Sequence, residues 1–341
     1  MQAEKSIQNR IKGAIFGSVI GNVMGSPVEN WDWKKIEKTY REIQEPLLMN
    51  RIESEDDFRI AILYYETYLA YKRAIGPEDL AEIWVKKFTE ADKFFWCMRN
   101  SLELLKRGVS PRQTGLYNIN TGSAIMAIAP VGVFNMGFPD RAYQEALSLA
   151  YMYQPEPDAL TAAALAAGVS VAFSNDATPA LICDTILKFC SKKKLVHWDD
   201  RKLDSVYQSV EKGLEIADKY SNWREAREEI YRELLQWHAI DPIEVLTLST
   251  ALFKITNGNF LEGLKAGTNI GRDSDTISNI IGTLLGAMHG YGVIPQEWLE
   301  EVESVNKQIY QKLHSISENM CELLKEKWEN ELKVLNNLKI L

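Results

Sequence analysis

Apolar residues in this chain recur at helical spacing, and no stretch shows the strict alternation of a half-buried strand. The first periodic segment covers residues 6–25, where Gly13, Gly17, Gly21 and Gly25 stand four apart. On a helix they fall near one stripe. Each costs about 1 kcal/mol against alanine, so a row of four implies the close approach of another backbone. Ser26-Pro27 ends that helix, because a residue before proline is turned away from helical geometry. Residues 30–57 are mixed and loop-like. From Phe58 to Tyr71, Ile60, Leu63, Tyr64 and Thr67 recur at helical spacing. Gly76-Pro77-Glu78-Asp79 opens a helix that runs to Phe88, with proline early and acids in its first turn.

Further helices are predicted over 93–106, 140–151, 159–173, 179–190, 202–219, 222–238, 243–255 and 260–267. Residues 296–335 read as one or two amphipathic surface helices. Residues 110–122 read as a loop leading into the small, apolar segment Ser123 to Phe134. Gln154-Pro155-Glu156-Pro157-Asp158 reads as a rigid loop, with Asp158 capping the alanine-rich helix after it. That helix is small-residue on almost every face, which implies burial between other helices. The pattern predicts a single all-α domain over residues 1–341, its glycine- and alanine-rich helices inside and its amphipathic ones outside.

Composition narrows the partners. Hydrophobic residues make up 46% of the 341 and charged residues 25%, an ordinary globular balance. The net charge of −8 comes with no basic patch, so no nucleic-acid partner is expected. No stretch reaches the roughly 18 uninterrupted apolar residues of a membrane span. The N-terminus has no apolar run with a cleavage site, and a cytoplasmic protein is expected. Cys97, Cys183, Cys190 and Cys321 are widely spaced and show no zinc pattern, so they read as reduced core residues. His197, His238, His289 and His314 form no ligand-spaced pair. Neither a nucleophile elbow nor a phosphate loop is present.

The chemistry therefore falls to carboxylates. Gly271-Arg272-Asp273-Ser274-Asp275-Thr276 runs straight into the apolar, small-residue segment Ile277 to Ala287. Carboxylates at the mouth of a buried helix are partly desolvated and need partners. A helix cap is one reading; a hard divalent cation with oxygen ligands is the other. Glu55-Asp56-Asp57 sits in the same way before the apolar run Phe58 to Leu69. Two such clusters facing one pocket would repel and require cations, and paired metals are a known hydrolytic device. Glu29 follows the glycine helix in a loop, where an ordinary surface carboxylate is the competing reading. Tyr117 stands in the loop before Thr121-Gly122, where an aromatic ring could stack a base.

Together these stretches resemble the ADP-ribosylglycohydrolase family. Gly21-Asn22-Val23-Met24-Gly25-Ser26-Pro27-Val28-Glu29 is similar to the family's Gly-Asp-Ala-x-Gly-x-Pro-x-Glu. Glu55-Asp56-Asp57 falls where the family carries Thr-Asp-Asp, and Ala127 to Gly132 resembles its central ligand-loop helix. Asp273-Ser274-Asp275-Thr276 matches its Asp-x-Asp-Thr. The resemblance implies an all-α fold and two magnesium ions, with manganese as an alternative. It also implies hydrolysis at the ribose anomeric carbon of an ADP-ribosylated protein or small molecule. Carried over by position, Glu55, Asp56, Asp57, Asp273, Asp275 and Thr276 would be metal ligands, and Glu29 or Asp56 would take the water's proton. Tyr117, Asn120, Thr121, Gly122, Ser123 and Gln154 would face the substrate. The chain departs from the pattern at Glu55, at Asn22 in place of aspartate, and at Ala127 where arginine is common. Gln154 and Glu156 stand where many members carry histidines. These departures keep two alternatives open: hydrolysis of a nucleoside or nucleotide, and a non-catalytic binding or structural relative.

Overall fold

A computed structural model describes residues 6–47, 56–88, 94–193, 205–236 and 238–338. Helix α1 (Ile7–Gly25) begins at Ser6, whose side chain accepts from the Asn9 amide at 3.2 Å. It runs antiparallel to α14 (Ser274–His289) along the glycine stripe. Gly13 meets Gly286, Gly17 meets Gly282, Gly21 meets Ser278 and Gly25 meets Ser274. A β-carbon on any of the four would overlap opposing backbone, so the two helices touch main chain to main chain. Side chains of ordinary size would hold packed helices about 8–10 Å apart.

Around this seam the helices follow in chain order. α2 (Trp33–Tyr40), α3 (Asp56–Tyr71), α4 (Pro77–Lys87) and α5 (Trp96–Lys106) precede α6 (Ala129–Phe134) and α7 (Pro139–Ala150). Then come α8 (Asp158–Ala172), α9 (Pro179–Phe189), α10 (Val206–Ala217), α11 (Trp223–Glu233), α12 (Pro242–Ile255) and α13 (Phe260–Asn269). After α14, a single helix of 42 residues, α15 (Gln296–Asn337), packs on α1 and α3. No strand occurs among the described residues, only an isolated antiparallel bridge between Asp32 and Gly271. No helix among them is long and apolar enough to cross a membrane. The four cysteines are free and buried.

The alanine-rich α8 is buried along its whole length, as its lack of any large polar residue predicts. Arg10, itself buried, ties α1 to it. Its guanidinium donates to the carbonyls of Ala172 (2.6 Å), Phe173 (2.8 Å) and Ser174 (3.2 Å), and to that of Ala287 in α14 (2.7 Å). Helix ends leave carbonyls without partners, and a cation there also meets the negative end of the dipole.

Two local expectations differ from the structure. Residues 33–40 form a helix inside the stretch read as loop-like. The Asp32 side chain accepts from the Lys35 amide at 2.8 Å, and Trp33 and Ile36 supply a narrow buried face that a short window hides. Asp158 does not cap its own helix. Its carboxylate accepts from the amides of Ala124 (2.8 Å) and Ile125 (3.1 Å), which begin the 3-10 turn Ile125–Ala127.

Candidate metal centre

The centre lies at one end of the α1–α14 seam. α1 passes into the 3-10 turn Ser26–Val28, and Glu29 follows as its cap. Across from it, the loop before α14 is strapped to the segment after Glu29. Asn30 donates its amide to the Arg272 carbonyl, and Arg272 donates its own to the Trp31 carbonyl, both at 2.7 Å. Gly271 is in the left-handed region at φ +72°, and a β-carbon there would overlap the Trp31 carbonyl. Arg272 shares that region at φ 63°. Its guanidinium grips the fully buried Glu244 of α12 with two bonds of 2.6 and 3.0 Å. The loop is thus pinned just before Asp273, to the 30–31 segment and to α12.

Glu29, Asp273 and Asp275 each bring one oxygen within 4.8 Å of the others. Asp57, in the first turn of α3, joins them through Thr276, whose hydroxyl donates to Asp57 Oδ2 at 3.2 Å. The same oxygen receives Asn279 Nδ2 at 3.3 Å and Asn22 Nδ2 at 3.4 Å. Asn279 is held in turn by Ser18 Oγ (2.7 Å) and by the Met126 carbonyl (3.1 Å).

The field at the centre is strongly negative. Burial, then the charges of Asp275, Asp57 and Glu29, hold the Asp273 carboxyl well above its ordinary range, against a bond from Thr276. Glu29 is pushed up by burial and by Asp56, against a bond from Asn30. Asp56 is raised by burial, against backbone amides that include that of Phe95. Asp273, the residue before α14, makes no side-chain bond to the helix's amides, so the capping reading does not describe it.

The residues fit a divalent cation. The donors are carboxylates, a hydroxyl and an amide, the oxygen set that hard cations take. Asn22 Oδ1 is buried and meets no hydrogen-bond donor among the described residues, an orphaned acceptor beside the acidic cluster. Glu55, expected as a further ligand, lies outside the described residues.

The expected ligand loops behave differently. Tyr117 is 87% exposed. Asn120 ties its loop to the 154–158 segment, donating to the Glu156 carbonyl (2.8 Å) and accepting from the Asp158 amide (3.2 Å). Thr121, Ser123 and Gln154 are enclosed around Cys97: Gln154 Nε2 reaches Cys97 Sγ and Thr121 Oγ1, both at 3.0 Å. Gly122 takes φ +70° against the Ile240 carbonyl. Sequence reasoning missed Asn279, Arg272 and Glu244. A lone asparagine within the apolar run after Thr276 was the available signal for the first.

Comparison with known proteins gives the family and the fold. The ADP-ribosylglycohydrolase family model matches residues 3–331, and the chain belongs to that family. An uncharacterized protein of Archaeoglobus fulgidus is 25% identical over 307 residues, covering 86% of this chain and 92% of its own. The ADP-ribosylarginine hydrolase Tri1 of Serratia proteamaculans is 33% identical over 57 residues, 16% of each chain. A solved structure described as an ADP-ribosylglycohydrolase-related protein complex superposes with a TM-score of 0.68 at 20% identity. It covers 94% of this chain and 99% of its own, and it shares the all-helical fold.

Proposed function

We propose that the chain is a metal-dependent hydrolase that cleaves the glycosidic bond at the ribose anomeric carbon of an ADP-ribosylated protein or small molecule. The observation that carries this reading is the convergence of Glu29, Asp273 and Asp275, with Asp57 behind them. Two magnesium ions, or manganese, held by Asp56, Asp57, Asp273, Asp275 and Thr276 would supply Lewis acidity and an acidified water. The chain's own groups do the rest. Glu29 takes the proton of the attacking water, a task suited to a carboxylate whose affinity for protons is raised by burial. Asp56, which raises it further, is the alternative base. The remaining carboxylates oppose the positive charge that develops on the ribosyl ring as its bond breaks. Tyr117, exposed on its loop, offers a ring to a base, while Thr121, Ser123 and Gln154 support that loop from inside.

A second reading, hydrolysis of a simple nucleoside or nucleotide, is favoured by Ala127. It is fully buried and stands where arginine is common in the family, so this chain places no cation there. Turnover of ADP-ribosyl-arginine, ADP-ribosyl-serine, nucleosides and nucleotides with magnesium distinguishes the two. Glu29→Gln is expected to leave the protein folded and to slow turnover by about 10²–10⁴-fold. Unchanged turnover would remove Glu29 from the mechanism. Metal binding without hydrolysis of any compound would leave a binding protein.

A further inference from the structure

Asn22 sits in the third position before Gly25 on α1 and is 1% exposed. A carboxylate only accepts, so the atom of Asn22 that faces Asp57 Oδ2 at 3.4 Å is its nitrogen. That assignment fixes where the amide oxygen goes. Oδ1 is left in the interior with no donor among the described residues. Buried polar atoms are nearly always paired, and an exception needs an explanation. Asp57, the charged group that Asn22 touches, is a carboxylate and offers no donor to an amide oxygen. A cation satisfies both kinds of group at once, and amide oxygens are ordinary ligands of hard divalent ions.

We propose that Asn22 belongs to the metal centre, its Nδ2 fixing Asp57 and its Oδ1 serving as a neutral oxygen donor to the cation. The inference rests on the metal-centre reading above. Asparagine here does what aspartate cannot. It donates to Asp57 rather than repelling it, and it supplies an oxygen without adding a further negative charge near three carboxylates whose oxygens already lie within 4.8 Å of one another. Asn279 completes the arrangement by holding the same oxygen of Asp57 from α14. Three neutral donors on one carboxylate oxygen set its plane before any ion arrives.

Manganese titration by calorimetry, with thermal unfolding of the metal-free protein alongside, tests this. Asn22→Leu keeps the volume and removes both polar atoms. It is expected to weaken manganese binding by about 10–100-fold, the usual effect of losing a supporting group at a metal site, while the metal-free melting temperature changes little. Asn22→Asp is expected to bind manganese more tightly and to melt lower without it. Should the leucine variant fail to fold, Asn22→Ser carries the same expectation of weakened binding. A leucine or serine variant that melts lower but binds manganese like the wild type makes Asn22 a packing residue and overturns the inference alone. A wild-type protein that binds no manganese at millimolar concentration overturns the metal-centre reading, and this inference with it.

Discussion

The α1–α14 seam and the loop of residues 116–121 solve opposite packing problems. Along the seam the contact is backbone on backbone, and what matters is the side chain that is missing. In the loop the usual order of inside and outside is reversed. Asn118 and Thr121 are buried, while Leu116, Tyr117 and Ile119 are 50%, 87% and 48% exposed. Asn118 explains the reversal. Its Nδ2 reaches the carbonyls of Cys97 (3.1 Å) and Tyr153 (2.9 Å) and the Ser101 hydroxyl (2.9 Å), and its Oδ1 accepts from Asn100 at 2.7 Å. With the polar residue anchored inward, its two apolar neighbours are turned to solvent. One exposed ring and two exposed aliphatic side chains held outward by an anchored loop are a feature that a binding partner would explain. The seam fixes where the carboxylates stand; the loop presents its side chains to solvent.

The largest expected effect comes from breaking the seam. Gly17→Leu forces a side chain into the Gly282 backbone, and the loss should exceed the roughly 1–3 kcal/mol typical of overpacking. Gly108→Ala is the control. No atom lies within 4 Å of its missing β-carbon, so only its φ of +81° costs, about 1–2 kcal/mol. Equal melting temperatures for the two variants would show that the seam tolerates side chains.

A smaller effect concerns the support behind the loop. Burial outweighs the two amides that Asp158 accepts, and its carboxyl is pushed up to about 7 from an ordinary 3.8. The folded protein therefore holds that proton where the unfolded chain has lost it. Stability contributed by this group declines as pH rises from about 4 through about 7 and is level above. Urea unfolding across that range should show a falling slope that Asp158→Asn reduces, together with lower stability because an amide group cannot accept from both Ala124 and Ile125. A variant with an unaltered slope would sink the assignment.

Tyr117→Ala should be the mildest for the fold, within about 0.5 kcal/mol, as for other exposed positions. If Tyr117 stacks a base, KM for a ribosylated substrate should rise while the melting temperature stays put. An unchanged KM would reduce the ring to an exposed bystander.

The same contrast explains what could be read from the residues alone. Period-four glycines, period-3.6 apolar faces and the Asp-x-Asp-Thr run state local geometry directly. From them follow the all-helical fold, the burial of α8 and the meeting of the 273–276 loop with Asp57. Glu29 looked like a loop carboxylate because its partners lie more than 240 residues further on, at Asp273 and Asp275. Helix α2 was hidden by its length, eight residues with two buried. Asp158 could be placed at a helix start, but its bonds to Ala124 and Ile125 depend on a loop brought close by tertiary packing. Thr121, Ser123 and Gln154 appeared polar and therefore available, whereas the structure spends them on one another and on Cys97.

The pairing of α1 with α14 also governs how the protein is made. Ribosomes add about 5–20 residues per second, and roughly 250 residues separate the end of α1 at Gly25 from the start of α14 at Ser274. The glycine face of α1 therefore waits on the order of 10–50 s for its mate during synthesis. Contacts so distant along the chain form late and slowly. The acidic centre, which depends on that pairing, is assembled among the last features of the nascent protein, after the helices that will surround it have already been extruded.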